Sequence, residues 1–199
     1  MIETPATFEY LVRVLPLSGV REPSDAGLVI EDDGGALVAL IDAAGQGRAA
    51  AASAHRAEAI VRRVANRSIA AAFLEVHRAL AGEPGVSMAL VRLDFAQSTI
   101  EFTGIGRVYG VVAGSVERIL TSVPGTIGVG LPKALSPVTI QAAPGDLAVL
   151  AVDGIVDVWD VAKLWRRTDQ PPLDTLVRSI SGLPDRLPDD SSVVLARLP

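Results

Sequence analysis

The sequence of 199 residues contains no cysteine, few aromatic residues and no dense run of lysine and arginine. Without cysteine, a disulfide framework and a thiolate metal site are both excluded. The formal net charge of −5 argues against nucleic acid as the main partner. No apolar run is long enough to span a bilayer, and the first residues lack the pattern of a signal peptide. We therefore expect a cytoplasmic protein with no membrane partner.

What the sequence does contain is an apolar run, residues 35–41, that ends in one carboxylate, Asp42. The run is typical of a strand that is buried on both faces. Gly45 and Gly47 follow it, and an alanine-rich stretch then predicts a helix over 47–65. A buried strand that brings an aspartate to a glycine-rich corner is well suited to hold a metal ion or a phosphate.

The order of predicted elements indicates an α+β fold. Strands are predicted near 7–15, 28–30 and 35–42, and two consecutive helices follow, the second capped by Ser68. Three hairpins are then predicted, pairing 86–95 with 99–102, 108–112 with 116–120, and 138–141 with 147–152. Helices near 159–167 and 171–181 and a last strand, 192–198, complete the chain. This order favours two packed antiparallel sheets flanked by helices, within a single domain over residues 1–199.

Acidic residues stand at the edges of several predicted strands: Asp25 before the second, Asp42 after the third, Asp153 after 147–152, and Asp189-Asp190 before the last. Each could serve only a turn, a helix cap or a solvated loop. However, Asp42 and Asp153 directly follow deep apolar positions, where an uncompensated carboxylate is costly. Apart from Arg48, no basic residue lies near either in sequence. Divalent cations with oxygen ligands, Mg²⁺ or Mn²⁺, would compensate them.

The order of short motifs resembles the metal-dependent Ser/Thr protein phosphatases of the protein phosphatase 2C type. The resemblance is strongest to their small bacterial branch, which includes SpoIIE, RsbU and RsbX, and it covers nearly the whole chain. The matching segments are Ser24-Asp25, Asp42-Ala43-Ala44-Gly45-Gln46-Gly47, residues 102–107, residues 145–155 with Asp153-Gly154, and Asp189-Asp190-Ser191-Ser192-Val193-Val194. The resemblance implies a four-layer α-β-β-α sandwich with the site at one end of the two sheets.

The resemblance also implies the roles of individual residues. Asp42 would bridge two divalent metal ions, Mn²⁺ or Mg²⁺, and the backbone carbonyl of Ala43 would ligate one of them. Asp153 and Asp189 would hold the other metal, and Asp25 would support the site through waters. A metal-activated water would attack phosphorus in line and expel the Ser or Thr oxygen. Catalysis would thus depend on Asp42, Asp153 and Asp25.

The chain departs from the family pattern at a few positions. Ala43 and Ser24 replace glycines, Val152 replaces a serine, and Arg107 replaces an asparagine. At position 43 the main-chain carbonyl survives, but the torsions that glycine allows could be lost. Arg21 precedes Asp25 at a distance that would suit a phosphate-binding arginine, but an ordinary surface arginine is the favoured explanation.

The length of the chain is similar to that of RsbX-type enzymes. This implies phosphorylated STAS-domain proteins of the stressosome, RsbR- and RsbS-like, as substrates of a monomeric enzyme. A phosphorylated anti-sigma-factor antagonist is the competing substrate, and a non-catalytic binding module of the same fold is the competing function.

A dinucleotide-binding domain is a further alternative. Gly45-Gln46-Gly47-Arg48-Ala49-Ala50 fits the fingerprint Gly-x-Gly-x-x-Ala between a strand and a helix. That fingerprint requires a βαβ unit, whereas a second helix follows here and the later strands indicate antiparallel pairing. His55 and His77 fall on predicted helices away from the motifs, so we expect them to be ordinary helix residues, and no general acid is identified.

Overall fold

A computed structural model of the chain describes residues 7–15, 22–152, 163, 165, 170–180 and 191–199. These residues form ten β-strands and three longer α-helices, in the following order. The elements are β1 (Glu9–Leu15), β2 (Asp25–Asp32), β3 (Gly35–Ala43), α1 (Arg48–Arg63), α2 (Ile69–Ala79), β4 (Val86–Asp94), β5 (Thr99–Ile105), β6 (Val108–Ala113), β7 (Arg118–Leu120), β8 (Val138–Gln141), β9 (Leu147–Val152), α3 (Leu173–Ile180) and β10 (Ser191–Arg197).

The strands form two antiparallel sheets of five strands each. One sheet has the order β2-β3-β4-β5-β8, and the other has the order β1-β10-β9-β6-β7. As predicted, β3 is buried along its whole length, because it lies between β2 and β4 and is covered on both faces. Asp42 is therefore carried to the site on one of the best-packed strands of the protein.

Three separate apolar clusters show that the molecule has four layers. One cluster joins α1 and α2 to the outer face of the β3 sheet, and Phe73 is its largest fully buried residue. A second fills the space between the two sheets and includes Leu40, Phe102 and Leu150. The third joins α3, through Leu176, to the outer face of the β9 sheet. The predicted α-β-β-α sandwich is confirmed.

Local sequence signals explain where α1 and α2 begin. Gly47 precedes α1 with a φ of +81°, a left-handed conformation that glycine adopts without strain. Ser68 caps α2, since its hydroxyl oxygen accepts a hydrogen bond of 3.3 Å from the backbone N–H of Ala71. Many alanines line the buried side of α1, and these small side chains allow the helix to pack closely on the sheet.

The predicted hairpin between 138–141 and 147–152 is wrong. β8 pairs with β5 at the edge of one sheet, whereas β9 lies between β10 and β6 in the other. The burial patterns explain the difference. All six residues of β9 are buried, which requires a neighbour on each side, but only Ile140 of β8 is buried, as expected for an edge strand. The connection between them therefore crosses from one sheet to the other.

Other boundaries differ only slightly from the prediction. β2 begins at Asp25 rather than near residue 28, and β7 covers only Arg118–Leu120. Apart from positions 163 and 165, the predicted helix near 159–167 lies outside the described residues. In the described part of the chain, no helix is both long and apolar enough to cross a membrane.

Candidate metal centre

The centre of the site is the corner where β3 leads into α1. Asp42 is the penultimate residue of β3, and Ala43 is the last. The chain then turns through Gly45 and Gly47, whose φ angles are +90° and +81°. Space is not the reason for either glycine, because a Cβ atom at these positions would meet nothing within 4 Å. The glycines supply torsion angles that other residues adopt only with strain.

Ala43 does not require the conformational freedom of glycine. It lies within a strand, and among the described non-glycine residues only Ser98 and Gln170 have positive φ angles. Its N–H donates to the carbonyl oxygen of Ser24 at 3.0 Å, which extends the ladder between β2 and β3. The substitution of alanine for the family's glycine therefore leaves the main chain in an ordinary extended conformation.

Asp25 and Asp42 face each other on neighbouring strands. In the register of β2 and β3, these two residues are direct Cα partners. Residues paired in this way have Cβ atoms about 4.5–5.5 Å apart. Asp25 is 4% exposed and Asp42 is 9% exposed. Two carboxylates so close together and so far from water repel each other unless hydrogen bonds and positive charge compensate them.

The second sheet supplies a hydrogen bond to Asp25. The hydroxyl of Ser192, on β10, donates to Asp25 Oδ2 at 2.7 Å, and Ser192 is completely buried. Next to it, Val193 pairs with Ala151, one residue before the end of β9. The end of β9, the start of β10 and the Asp25–Asp42 pair therefore lie at the same end of the sandwich.

Arg107 brings a positive charge to Asp42. Its guanidinium nitrogen Nη2 lies 3.5 Å from Asp42 Oδ2, and 58% of the arginine side chain is exposed. The sequence singled out Arg107 only as a departure from the family motif, and gave no role to Ser192. Both contacts join residues far apart in sequence, so local patterns could not reveal them.

The predicted site residues fall into two groups. The structure brings Asp25, Asp42 and Ala43 together at the paired ends of β2 and β3. Asp153, Asp189, Asp190 and Arg21 lie outside the described residues, although Val152 and Ser191 next to them are described. Within the described ranges, no three His, Cys, Asp or Glu side chains form a group that could hold a metal.

The donor set nevertheless fits a hard divalent cation. Both described carboxylates offer only oxygen atoms, which are the ligands that Mg²⁺ and Mn²⁺ prefer. Buried and directly paired carboxylates favour a bound positive charge, and the guanidinium of Arg107, 3.5 Å from Asp42 Oδ2, shows that cations are attracted to this position. The two histidines are not part of this set: His55 is exposed on α1, and Nδ1 of His77 accepts a hydrogen bond from the N–H of Gly128.

Comparison with known families gives an extended match. The sequence model of the family Stage II sporulation protein E, or SpoIIE, matches residues 32–199. This range includes Asp42 and the whole of the chain that follows it. No curated protein matches the sequence significantly.

Comparison with solved structures gives close matches over nearly the whole chain. One matching structure comes from work on the bacterial stressosome as a modular system adapted to control secondary messenger signalling. It is 26% identical to this chain with a TM-score of 0.87, and the match covers 96% of this chain and 100% of that one. RsbX in complex with magnesium is 18% identical with a TM-score of 0.87, and the match covers 96% of both chains. The PP2C phosphatase domain of SpoIIE from Bacillus subtilis, solved with a fragment of its regulatory domain, is 17% identical with a TM-score of 0.80, covering 96% of this chain and 63% of its own.

Proposed function

The chain belongs to the SpoIIE family, and from this we propose that it is a divalent-metal-dependent enzyme that hydrolyses phosphoserine or phosphothreonine in a STAS-domain protein. Family membership confirms the resemblance to protein phosphatase 2C enzymes and the predicted class, a phosphoprotein phosphatase. The metal site, the attack by water and the substrate are the parts that we propose. We also propose a monomeric, cytoplasmic protein in which residues 1–199 act as one catalytic domain.

The observation that carries the proposal is the pairing of Asp25 and Asp42 at a buried register position. In our assignment Asp42 and the main-chain carbonyl of Ala43 would hold divalent cations. Asp153 and Asp189 would complete the ligand set, and Asp25 would support it nearby through water. The ends of two strands support this assignment. β9 ends at Val152, next to Asp153, and β10 begins at Ser191, close to Asp189, and both ends lie near Asp25.

The chain itself contributes rigidity and charge to this chemistry. When bound, a pair of divalent cations neutralises phosphoryl oxygens and lowers the pKa of a water molecule. The fully buried strand β3 fixes the position of Asp42, so little reorganisation is needed on binding. Ser192 holds one oxygen of Asp25 in place from the opposite sheet. Hydrolysis by water needs no covalent enzyme intermediate, which suits a sequence without cysteine.

Two of the structural matches support a STAS-domain substrate from the stressosome. The match of 26% identity comes from work on the bacterial stressosome, and RsbX superimposes over 96% of both chains. An anti-sigma-factor antagonist is the competing substrate, since a structure of the RsbU and RsbW domains of a Mycobacterium tuberculosis protein matches with a TM-score of 0.78. The assay below includes both.

The proposal is tested by phosphate release from a phosphorylated stressosome STAS protein and from a phosphorylated anti-sigma-factor antagonist. Each is incubated with Mn²⁺ or with EDTA, using wild type, Asp42→Asn and Asp33→Asn. Asp33 is the matched control because it lies in the exposed β2–β3 turn, at the other end of the strands. We expect Mn²⁺-dependent release that Asp42→Asn abolishes and Asp33→Asn preserves, with the stressosome protein as the faster substrate.

Release that persists in EDTA, or that survives in Asp42→Asn, would contradict the metal site. Faster phosphate release from the anti-sigma-factor antagonist would make that protein the preferred substrate and leave the phosphatase activity supported. Metal binding without any turnover would favour a binding module of the same fold.

A further inference from the structure

Arg107 is the part of the site that the proposed function leaves without a role. We propose that its guanidinium binds the phosphate group of the substrate and holds it at the proposed metal site, beside Asp42. This inference rests on the proposed function, which supplies the phosphate monoester. It assigns to Arg107 the role of a substrate-binding residue.

The backbone before Arg107 is anchored directly beside Asp42. Gly106 has a φ of +88°, and its N–H donates to the carbonyl oxygen of Val123 at 3.0 Å. A Cβ atom on Gly106 would lie 2.7 Å from Cβ of Ser87, so only glycine fits here. Ser87 is in turn the residue of β4 that pairs with Asp42. The turn is therefore held against the neighbouring strand of the site.

The side chain spans the distance between the buried carboxylate and solvent. Nη2 of Arg107 lies 3.5 Å from Asp42 Oδ2, while more than half of the side chain is exposed. At this distance the contact is an ion pair rather than a short charge-assisted hydrogen bond, for which 2.7–2.9 Å is typical. The ion pair with Asp42 thus holds the guanidinium at the site, while much of the side chain faces solvent.

Charge and shape both favour a phosphate at this position. A phosphate monoester carries negative charge, and the guanidinium of Arg107 places a positive charge 3.5 Å from Asp42 Oδ2, beside the proposed metal site. The planar guanidinium fork matches phosphate oxygens with two parallel hydrogen bonds, whereas a lysine offers only a point charge. Arg107 follows an anchored turn and more than half of its side chain is exposed, so its guanidinium can make these contacts from the edge of the site.

The test measures phosphate binding separately from turnover. Inorganic phosphate is titrated calorimetrically into wild type, Arg107→Asn, Arg107→Lys and Arg63→Asn, all at saturating Mg²⁺. Arg63 is the matched control, an exposed arginine in the last turn of α1. The Kd for Mg²⁺ itself is measured on the same proteins, and KM and kcat are measured with p-nitrophenyl phosphate.

We expect Arg107→Asn to raise the Kd for phosphate about tenfold or more, which is the usual effect of losing hydrogen bonds to a charged partner. Arg107→Lys should give an intermediate increase, and Arg63→Asn should give none. KM should rise more than kcat falls. The Kd for Mg²⁺ should not increase in Arg107→Asn, because a positive charge beside Asp42 has been removed.

An unchanged Kd for phosphate in Arg107→Asn would overturn the inference, and so would a wild-type protein that binds Mg²⁺ but not phosphate. If Arg107→Asn does not fold, Arg107→Lys serves as the test. An equal Kd for phosphate in Arg107→Lys and wild type would contradict binding through two parallel guanidinium hydrogen bonds. Phosphate binding that depends on Arg107 without hydrolysis of any substrate would uphold the inference while refuting the enzyme.

Discussion

Asp146 provides a sharp test of how buried carboxylates stabilise this fold away from the site. The residue is 2% exposed, and its carboxylate accepts three hydrogen bonds. The N–H of Ser115 donates to Oδ1 at 2.6 Å, and the Ser115 hydroxyl and the N–H of Ala143 donate to Oδ2 at 2.6 and 2.9 Å. Together they tie the loop after β6 to the segment that leads into β9.

The substitution Asp146→Asn should be destabilising in either orientation of the amide. If the NH₂ group replaces Oδ1, it faces the N–H of Ser115, and if it replaces Oδ2, it faces the N–H of Ala143. At least one hydrogen bond to a charged acceptor is lost, and a donor is left against another donor. A hydrogen bond to a charged acceptor contributes about 1.5–3 kcal/mol to stability. Because two donors also face each other, we expect the free energy of unfolding to fall by about 2–4 kcal/mol in total.

Urea denaturation of wild type, Asp146→Asn and Asp94→Asn measures this difference. Asp94 is the control, because it accepts one hydrogen bond, from the N–H of Gln97, in an exposed turn. Its substitution should cost less than about 1 kcal/mol. For a domain of this size, the expected loss at Asp146 lowers Tm by about 4–16 °C.

Activity per folded molecule should be unchanged in Asp146→Asn. Asp146 precedes β9, whereas the site lies at the far end of that strand, about 20 Å away at 3.3 Å per residue. A loss below about 0.5 kcal/mol, or a loss equal to that of Asp94→Asn, would show that these hydrogen bonds contribute little to stability.

Further predictions concern packing and the support of Asp25. Gly35→Ala should destabilise the protein by several kcal/mol, since the new Cβ would overlap the carbonyl oxygen of Leu93, whereas Gly34→Ala, with open space at its Cβ, should cost about 1 kcal/mol or less. Equal urea midpoints for the two variants would contradict this. Ser192→Ala should cost about 1–3 kcal/mol without metal, because a buried carboxylate oxygen of Asp25 loses its donor; an unchanged midpoint would show that this hydrogen bond contributes little.

The order of elements and their local signals could be predicted from the sequence. The apolar run of β3, the serine cap of α2 and the glycines after Asp42 all act within a few residues, so composition and spacing reveal them. The resemblance to a family predicted the four-layer α-β-β-α sandwich, and the two sheets with helices on their outer faces confirm it. The same local signals brought Asp25 and Asp42 to strand ends, where the register pairs them.

Strand partners and cross-sheet contacts could not be predicted in the same way. Neighbouring strands usually form hairpins, so the sequence favoured pairing β8 with β9. The chain instead crosses between sheets there, because β9 needs a neighbour on both sides. The contacts of Arg107 with Asp42 and of Ser192 with Asp25 join residues 65 and 167 positions apart, respectively (107 − 42 and 192 − 25). No spacing rule covers such distances.

We propose that the facing carboxylates of β2 and β3 belong to a divalent-metal site. Calorimetric titration of Mn²⁺ into wild type, Asp42→Asn, Asp25→Asn and the exposed control Asp33→Asn tests it most directly. We expect wild type and Asp33→Asn to bind Mn²⁺ equally, Asp25→Asn to bind it more weakly, and Asp42→Asn to lose binding. Equal binding by wild type and folded Asp42→Asn would contradict the claim.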